Sequence, residues 1–598
     1  MKLNRLIISI SLAMAGTAQA NPDLWQYPLF GGDPLTPQQW HLKNTGQDGY
    51  SPVVGVKGQD LDVDFAHAMG IKGRGITVAV IDTGVEIDHE DLRANVVAGS
   101  LNLKDGSAYP TDNNGHGTAV AGIVASVEGN GIGGRGVAPH ANLIGFNYLD
   151  AQSEAAWFLS HGRTAENGKR ELNRFTDARI YNQSYGSTML KPFPYDYEAN
   201  PALLAKDVAL EDVTKDSQRG QGSLFVKSAG NSYGTYNVGA WLILPRENGR
   251  YYDNFGLPFH SANLSHENIN YWNMVVSATN ATGKRSSYSS VGSNVWVAAP
   301  GGEYGTDAPA IITTDIQGCS KGLNKAGASA NRLHGGVALD PNCNYAATMN
   351  GTSSAGPNAA GAAAVIMSAN HALDARTVRH VLAQTARKTD ANIAPINLSF
   401  TQADGTVATY AALPGWQRNA AGYNFHNFYG FGAVDVDAAV WKVLFGGVQN
   451  LPEQVVTPWQ TVAANAQIPD ATLAGVTSEL QVADNLTVEA VQVKLNIDHT
   501  RLRDLAIELV SPSGTRSVLL NPRVGFIGEH IENGVLLSNH FYGENSAGVW
   551  TLRVRDTDAG TTETVAFNTQ TRQLLQLNTV NNAQPGVVRD WSLRIFGH

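Results

Sequence analysis

Three side chains in this sequence stand in settings where, brought together, they would split an acyl bond. Ser353 lies in Gly351-Thr352-Ser353-Ser354-Ala355-Gly356-Pro357, which leads into an Ala-rich run ending near Ala369. Its hydroxyl is expected at the amino end of a buried helix, where free N–H groups and the helix dipole favour negative charge. A helix-capping serine is the plainer reading of that position taken alone. His116 sits between Gly115 and Gly117 at the head of another small-residue run, and its imidazole is a base able to take a serine proton near neutral pH. Asp82 follows the apolar stretch Thr77 to Ile81 and precedes Thr83-Gly84, so its carboxylate is expected at the carboxyl end of a strand. There it would hold the imidazole tautomer and stabilise its cation. Ser228-Ala229-Gly230-Asn231, directly after Leu224 to Val226, adds an amide able to donate to a developing oxyanion.

The elements that must position these groups are legible as a texture. Between Ile76 and about Val440, short apolar runs alternate with Ala/Gly-rich helical stretches, which implies a parallel sheet covered by helices. Past Gly447 a connector punctuated by Pro452 and Pro458 leads into period-two segments. In one of them Val491, Val493, Leu495 and Ile497 share a face opposite Gln492, Lys494 and Asn496; in another Trp550, Leu552 and Val554 alternate with Thr551, Arg553 and Arg555. That pattern predicts a β-sandwich.

With 598 residues the chain is too long for one core and calls for at least two domains. A net charge of −10 without long like-charge blocks gives no nucleic-acid footprint and no polybasic membrane patch. Lys2 and Arg5 before the apolar run from Leu6, closing on Ala18-Gln19-Ala20, form an export-signal pattern over 1–20, with the mature chain expected to begin at Asn21. No later segment reaches about 18 unbroken apolar residues, so a soluble, secreted protein is expected, reaching the medium through the periplasm if the source is a Gram-negative bacterium. The two cysteines, Cys319 and Cys343, are expected to form one disulfide in an oxidising compartment, worth roughly 3 kcal/mol of loop-closure entropy. A nucleophilic cysteine is the alternative reading, and neither has a histidine motif nearby.

The strings AVIDTGVEIDHEDL, NNGHGTAVAGIVA, KSAGNS and NGTSSAGPNAAG, in the order Asp, His, Asn, Ser, resemble those of the subtilisin superfamily of serine proteases. Gly356-Pro357-Asn358 departs from the commoner Ala-Pro-His form. The opening DPLTPQQWHL and the carboxyl-terminal strings IDHTRLRDLAIELVSPSGT, FYGENSAGVWTLRV and DWSLRIFG are similar to the kexin and furin branch and its P domain. The resemblance spans nearly everything from Asp33 to His598. It implies an α/β catalytic domain, 21–448, with a parallel sheet and helices on both faces, a linker, 449–458, and a β-sandwich P domain, 459–598. It implies peptide hydrolysis with Asp82, His116 and Ser353 as the triad and Asn231 as oxyanion donor, and extended substrate lying along Ser184, Tyr185 and Gly186.

The same resemblance implies a calcium site from Asp33, Asp91 and Asn130 with the carbonyls of Val127, Ile132 and Gly134, an oxygen set suited to that ion. Kexin-like enzymes read basic residues with acids in the cleft, but the matching positions here are Thr83, Asn113, Met189 and Ser290. A buried substrate cation would go unpaired there, with Glu247 or Asp253 as possible replacements. About a dozen residues separate the expected signal cleavage from Asp33, too few for the propeptide such proteases carry, so a separate protein is expected to assist folding or restrain activity. The expected partners are peptide and protein substrates and this helper, with a monomeric chain. A binding protein on a protease scaffold and an esterase are the competing classes; the retained triad with Asn231 argues against the first, the extended cleft strand against the second.

Overall fold

The computed structural model describes residues 32–163, 178–187, 189, 191–234, 236–238, 240–247, 250–251, 254–524, 528–581 and 584–598. The export-signal segment 1–20, Asn21, Asp253 and the side chain of Glu247 lie outside the described residues. The first body is built on six strands, β1 (Thr77–Ile81), β2 (Asn142–Phe146), β3 (Ile180–Gln183), β4 (Leu224–Ser228), β5 (Asn273–Thr279) and β6 (Val295–Pro300). They lie in the order β2-β1-β3-β4-β5-β6, and every neighbouring pair is parallel. Such a sheet is covered on both faces, which explains near-continuous apolar strands such as Thr77-Val-Ala-Val-Ile81.

One face carries α1 (His116–Ala125) and α3 (Thr352–Ala369), whose alanines pack with Val78, Val80, Val226 and Val276. The other face takes α2 (Pro201–Gly220), whose Leu203, Leu210 and Val213 join Ile81, Phe146 and Phe225. Strand order runs in opposite directions on the two sides of β1, and in open α/β sheets that switch opens a crevice at the carboxyl ends of the strands. Asp82 and Ser184 are the residues next after β1 and β3, so the topology brings them to this crevice.

The second body is a sandwich of two antiparallel sheets. Gly586–Gly597 pairs with Val488–Asp498, Gln460–Ile468 and Val455–Val456; Gly548–Asp556 pairs with Val476–Val482 and Leu505–Val510. Val493, Leu495, Ile507, Trp550, Leu552 and Trp591 fill the space between them. The alternation seen in the sequence points the expected residues inward, but the reverse face is partly covered: Gln492 is buried and donates to the Ile269 carbonyl at 2.7 Å. Ala490, Val535, Leu537 and Phe596 on that face pack with the α2 side of the first body. Val455–Val456, expected within the connector, adds a short strand against Phe596 and Gly597.

Two further devices join the bodies. Trp241–Glu247, in the stretch after Asn231, pairs antiparallel with Thr562–Asn568 of the sandwich, making one sheet from both. The buried guanidinium of Arg376 pairs with Glu489, which also accepts from the Tyr271 hydroxyl at 2.5 Å. Burial works to raise Glu489, but hydrogen bonds from His598 and Arg376 and the Arg376 charge more than offset it and hold the carboxyl near 2. Cys319 and Cys343 form the expected disulfide. Among the described residues no helix is long and apolar enough to cross a membrane.

Candidate active site

Asp82 leaves the end of β1 fully buried, and His116 opens α1, so a strand end and a helix start bring the carboxylate and the ring together. His116 Nδ1 lies 2.6 Å from Asp82 Oδ1, which also accepts the Thr83 N–H at 2.8 Å. The imidazole side chain remains 27% exposed while that of Asp82 is 0% exposed, so the ring faces the crevice and its carboxylate does not. Burial works to lower the His116 pKa, but the charge of Asp82 and its hydrogen bond outweigh it, and the net shift is upward.

Ser353 is the second residue of α3, behind Gly351, whose φ of +96° an L side chain rarely adopts. The Ser353 hydroxyl donates to the Ser184 carbonyl at 3.2 Å. Giving its proton to His116 therefore needs a turn of the hydroxyl away from that carbonyl. The Ser353 carbonyl is free to accept the Ser184 hydroxyl at 2.9 Å for a local reason: Pro357, four residues on, has no N–H to close the helical bond to it. A proline inside α3 thus ties the Ser353 backbone to the segment that follows β3.

Asn231 is oriented by its oxygen. Asn231 Oδ1 accepts the Thr352 N–H at 2.8 Å and the Thr352 hydroxyl at 2.9 Å, and Thr352 Oγ1 accepts the Gly230 N–H at 3.0 Å. A backbone N–H as partner fixes which end of the amide is oxygen. The NH₂ group is then turned to the nucleophile's side, where a Cβ on Gly351 would lie 3.0 Å from Asn231 Nδ2. The Ser353 N–H, in the first turn of α3, has no intrahelical acceptor. Among the described residues neither the Asn231 NH₂ nor the Ser353 N–H has an acceptor.

Beside Ser353 and Asn231 opens a cleft of ≈ 140 Å³ walled by Ser184–Ser187, Ser228–Gly230 and Ser265, with His260 and Asn268. Ser184, Tyr185 and Gly186 run on from β3 outside any strand ladder, and the Ser184 and Tyr185 carbonyls accept the Ser353 and Ser228 hydroxyls at 3.2 and 3.3 Å.

Residues 73–432 match the Subtilase family, and residues 488–569 match the Proprotein convertase P-domain. The chain belongs to the subtilase family. This subtilase is 43% identical to the Aeromonas extracellular serine protease of Aeromonas sobria over 95% of its own length and 92% of the relative's. It is 38% identical to the microbial serine proteinase of Aeromonas salmonicida, over 93% and 90%. A solved structure of the Aeromonas sobria serine protease in complex with a chaperone superposes with a TM-score of 0.88 at 42% identity, covering 95% of each chain. The subtilase is therefore a serine endopeptidase, built of a catalytic domain followed by a β-rich P domain.

The subtilase's expected metal loop draws together as a group. Asp33 Oδ2 and Oδ1 accept the N–H groups of Gly129 and Gly131 at 2.7 and 3.0 Å, and Asn130 Nδ2 donates to Asp91 Oδ1 at 2.7 Å. Among the described residues the other oxygen, Asp91 Oδ2, is buried without a hydrogen-bond partner. Burial, with the nearby charge of Asp33, pushes the Asp91 carboxyl up to about 8 against the Asn130 hydrogen bond. A divalent cation would relieve both the orphaned oxygen and the repulsion. Among the described residues no three His, Cys, Asp or Glu side chains converge for a metal, so amide and carbonyl oxygens would complete the shell.

Two residues of the site were not foreseen. Asp112, one position before the glycine-flanked histidine string, is its hub: Oδ1 accepts from Gly115 N, Asn114 N and Thr83 Oγ1, and Oδ2 from Thr118 N and Oγ1, all within 2.8 to 3.0 Å. An Asp shortly before a helix start is a capping signal that would have found it. Thr83 donates to Asp112 and accepts the Gly117 N–H at 3.0 Å, so it serves the scaffold where an acid was sought. Glu267, far from every motif in sequence, lies behind the cleft wall, accepting from Ser187 Oγ at 3.0 Å and Ser265 Oγ at 2.7 Å.

Proposed function

We propose that this endopeptidase cleaves peptide bonds through Ser353, with His116 as general base and then acid, Asp82 as its orienting partner, and Asn231 with the Ser353 N–H as oxyanion donors. The observation that carries the reading is the locked amide. The Asn231 oxygen is held by Thr352, so among the described residues its N–H bonds are unspent, and the imidazole of His116 is anchored 2.6 Å from a buried carboxylate. Ser353 Oγ would attack the scissile carbonyl as His116 Nε2 takes its proton. The ring, charged and still donating through Nδ1 to Asp82, would pass that proton to the leaving amine, and a water activated the same way would release the acyl group. A fluorophosphonate should label the wild-type protein and not Ser353→Ala; labelling of both would sink the reading.

Calcium in the loop of Asp33, Asp91, Asn130 and the Val127, Ile132 and Gly134 carbonyls would neutralise two buried carboxylates and pin that loop. Secretion is supported by the pattern at Lys2, Arg5 and Ala18-Gln19-Ala20, and by a relative named as extracellular. A folding helper is supported by the relative solved with a chaperone, and it predicts that the mature chain refolded alone recovers little activity. Full recovery without any helper would refute that part.

A further inference from the structure

Lys227 is the last but one residue of β4, fully buried, and among the described residues its ammonium has no hydrogen-bond partner. Such an isolated buried charge is costly, and burial brings Lys227 down to about 8, with Glu267 partly opposing. Its position explains a glycine in the cleft wall: a Cβ on Gly186 would sit 3.0 Å from Lys227 Nζ and 3.8 Å from Ser265 Oγ. Gly186, a residue of the cleft wall, therefore lies against the ammonium.

Glu267 is on the same side of that wall. Its side chain is 18% exposed, and one oxygen is taken up by Ser187 and Ser265, two residues that line the cleft. Burial would raise it, but the charges of His266 and Lys227 and the Ser265 hydrogen bond hold it near 2. Asn268, also in the wall, adds a buried Oδ1 with no partner among the described residues. The wall thus carries one acceptor without a partner among the described residues, backed by one anion and one cation. Tyr185, whose ring centroid is 5.0 Å from Lys227 Nζ, His161, which bonds to the Tyr185 hydroxyl, Tyr148, whose ring packs on Tyr185, Asp82, whose charge also acts on Tyr185, and His260 in the cleft lining belong to the same titratable surroundings.

We propose that Lys227 and Glu267 are specificity-determining residues: Glu267 draws a donor-bearing side chain into this cleft before the scissile bond, and Lys227 caps its preference for cations by supplying an internal one. A substrate arginine or lysine then competes with Lys227 for the field of Glu267, while glutamine or asparagine is bound through Asn268 and the serines without that competition. The inference rests on the reading of Ser353 as the nucleophile beside this cleft.

The test uses the full-length enzyme, peptides with arginine or its uncharged isostere citrulline before the cleaved bond, and a fluorophosphonate count of active sites. Lys227→Met should raise the arginine-to-citrulline ratio of kcat/KM roughly tenfold, and Glu267→Gln should lower it by a similar factor. Lys227→Arg should leave it near the wild-type value. A ratio unmoved by both neutralising substitutions, at a normal count of labelled sites, overturns the proposal. If Lys227→Met does not fold, Glu267→Gln decides alone, with the inhibition constant of benzamidine as a second reading that should weaken with it and that overturns the idea by staying constant. Failure of the Ser353 reading would look different, since no wild-type site would then be labelled.

Discussion

The catalytic crevice and the interior of the sandwich both bury ionised groups, and only one of them is built to react. In the sandwich, Arg501 Nε meets Asp504 Oδ2 at 2.5 Å, Arg523 meets Asp558 at 3.0 Å and His499 meets Asp556 at 3.1 Å, with Arg501 and Asp504 side chains both 0% exposed. Burial pushes Asp504 up to about 7 despite the charge of Arg501. At the crevice, His116 pairs just as closely with a buried carboxylate but keeps one edge exposed, and Asn231 holds donors in reserve. A histidine, a carboxylate and a shifted pKa are thus common to both regions. Access and unspent hydrogen-bonding capacity separate the proposed reactive site from the groups that hold the fold.

That contrast breaks most sharply at the nucleophile. Ser353→Ala should lower kcat for a peptide substrate by ~10⁶-fold while the thermal midpoint stays within error of wild type. Arg501→Met should do the reverse. Leaving Asp504 buried with only the more distant Arg523, at 3.7 Å, should cost about 3–5 kcal/mol in denaturant unfolding, with kcat/KM per folded molecule retained. If Arg501→Met instead lost turnover with full stability, the two regions would not be distinct. Asn231→Ala should cost about 10²–10³ in kcat, measured under saturating peptide, with little change in KM.

Smaller effects sharpen the picture. A chelator should lower the melting temperature of the wild type by several degrees, and the same treatment of Asp91→Ala should change nothing; equal responses would remove calcium from the loop. Because Asp82 holds His116 above its ordinary 6.5 and the base form is neutral, kcat/KM should rise with pH through a midpoint above 6.5. The linked stability has the opposite trend. The charged pair contributes fully below 6.5 and its contribution fades as pH rises through the folded value, which unfolding of wild type against His116→Ala at a series of pH values would read.

Much of this was open to reading in the chain. The apolar run before Asp82 became β1, the small-residue run after Ser353 became α3, and the alternation at Val491 and Trp550 became facing strands of one core. Period and composition report how a segment meets its immediate surroundings, and these segments obey them locally. The face of Gln492, Lys494 and Asn496 is partly covered, which the sequence did not reveal, because period-two alternation cannot tell water from a second domain laid against the sheet. Glu267 escaped notice because nothing local marks an acid whose partners, Ser187 and Lys227, lie 80 and 40 residues away.

The sequence by itself determined the residue types that can do acyl transfer, the strand and helix ends that carry them, and the two-body architecture. These follow from near-neighbour preferences of the backbone and from patterns of apolar side chains. Only the tertiary structure decided that the Asn231 oxygen is spent on Thr352 while its N–H bonds are not, that Asp112 ties Thr83 to the helix of His116, and that Lys227 backs the cleft wall at Gly186. Those facts depend on directions and distances between segments joined by long loops, and hydrogen bonds fall away within tenths of an ångström, a scale that no local pattern of residues encodes.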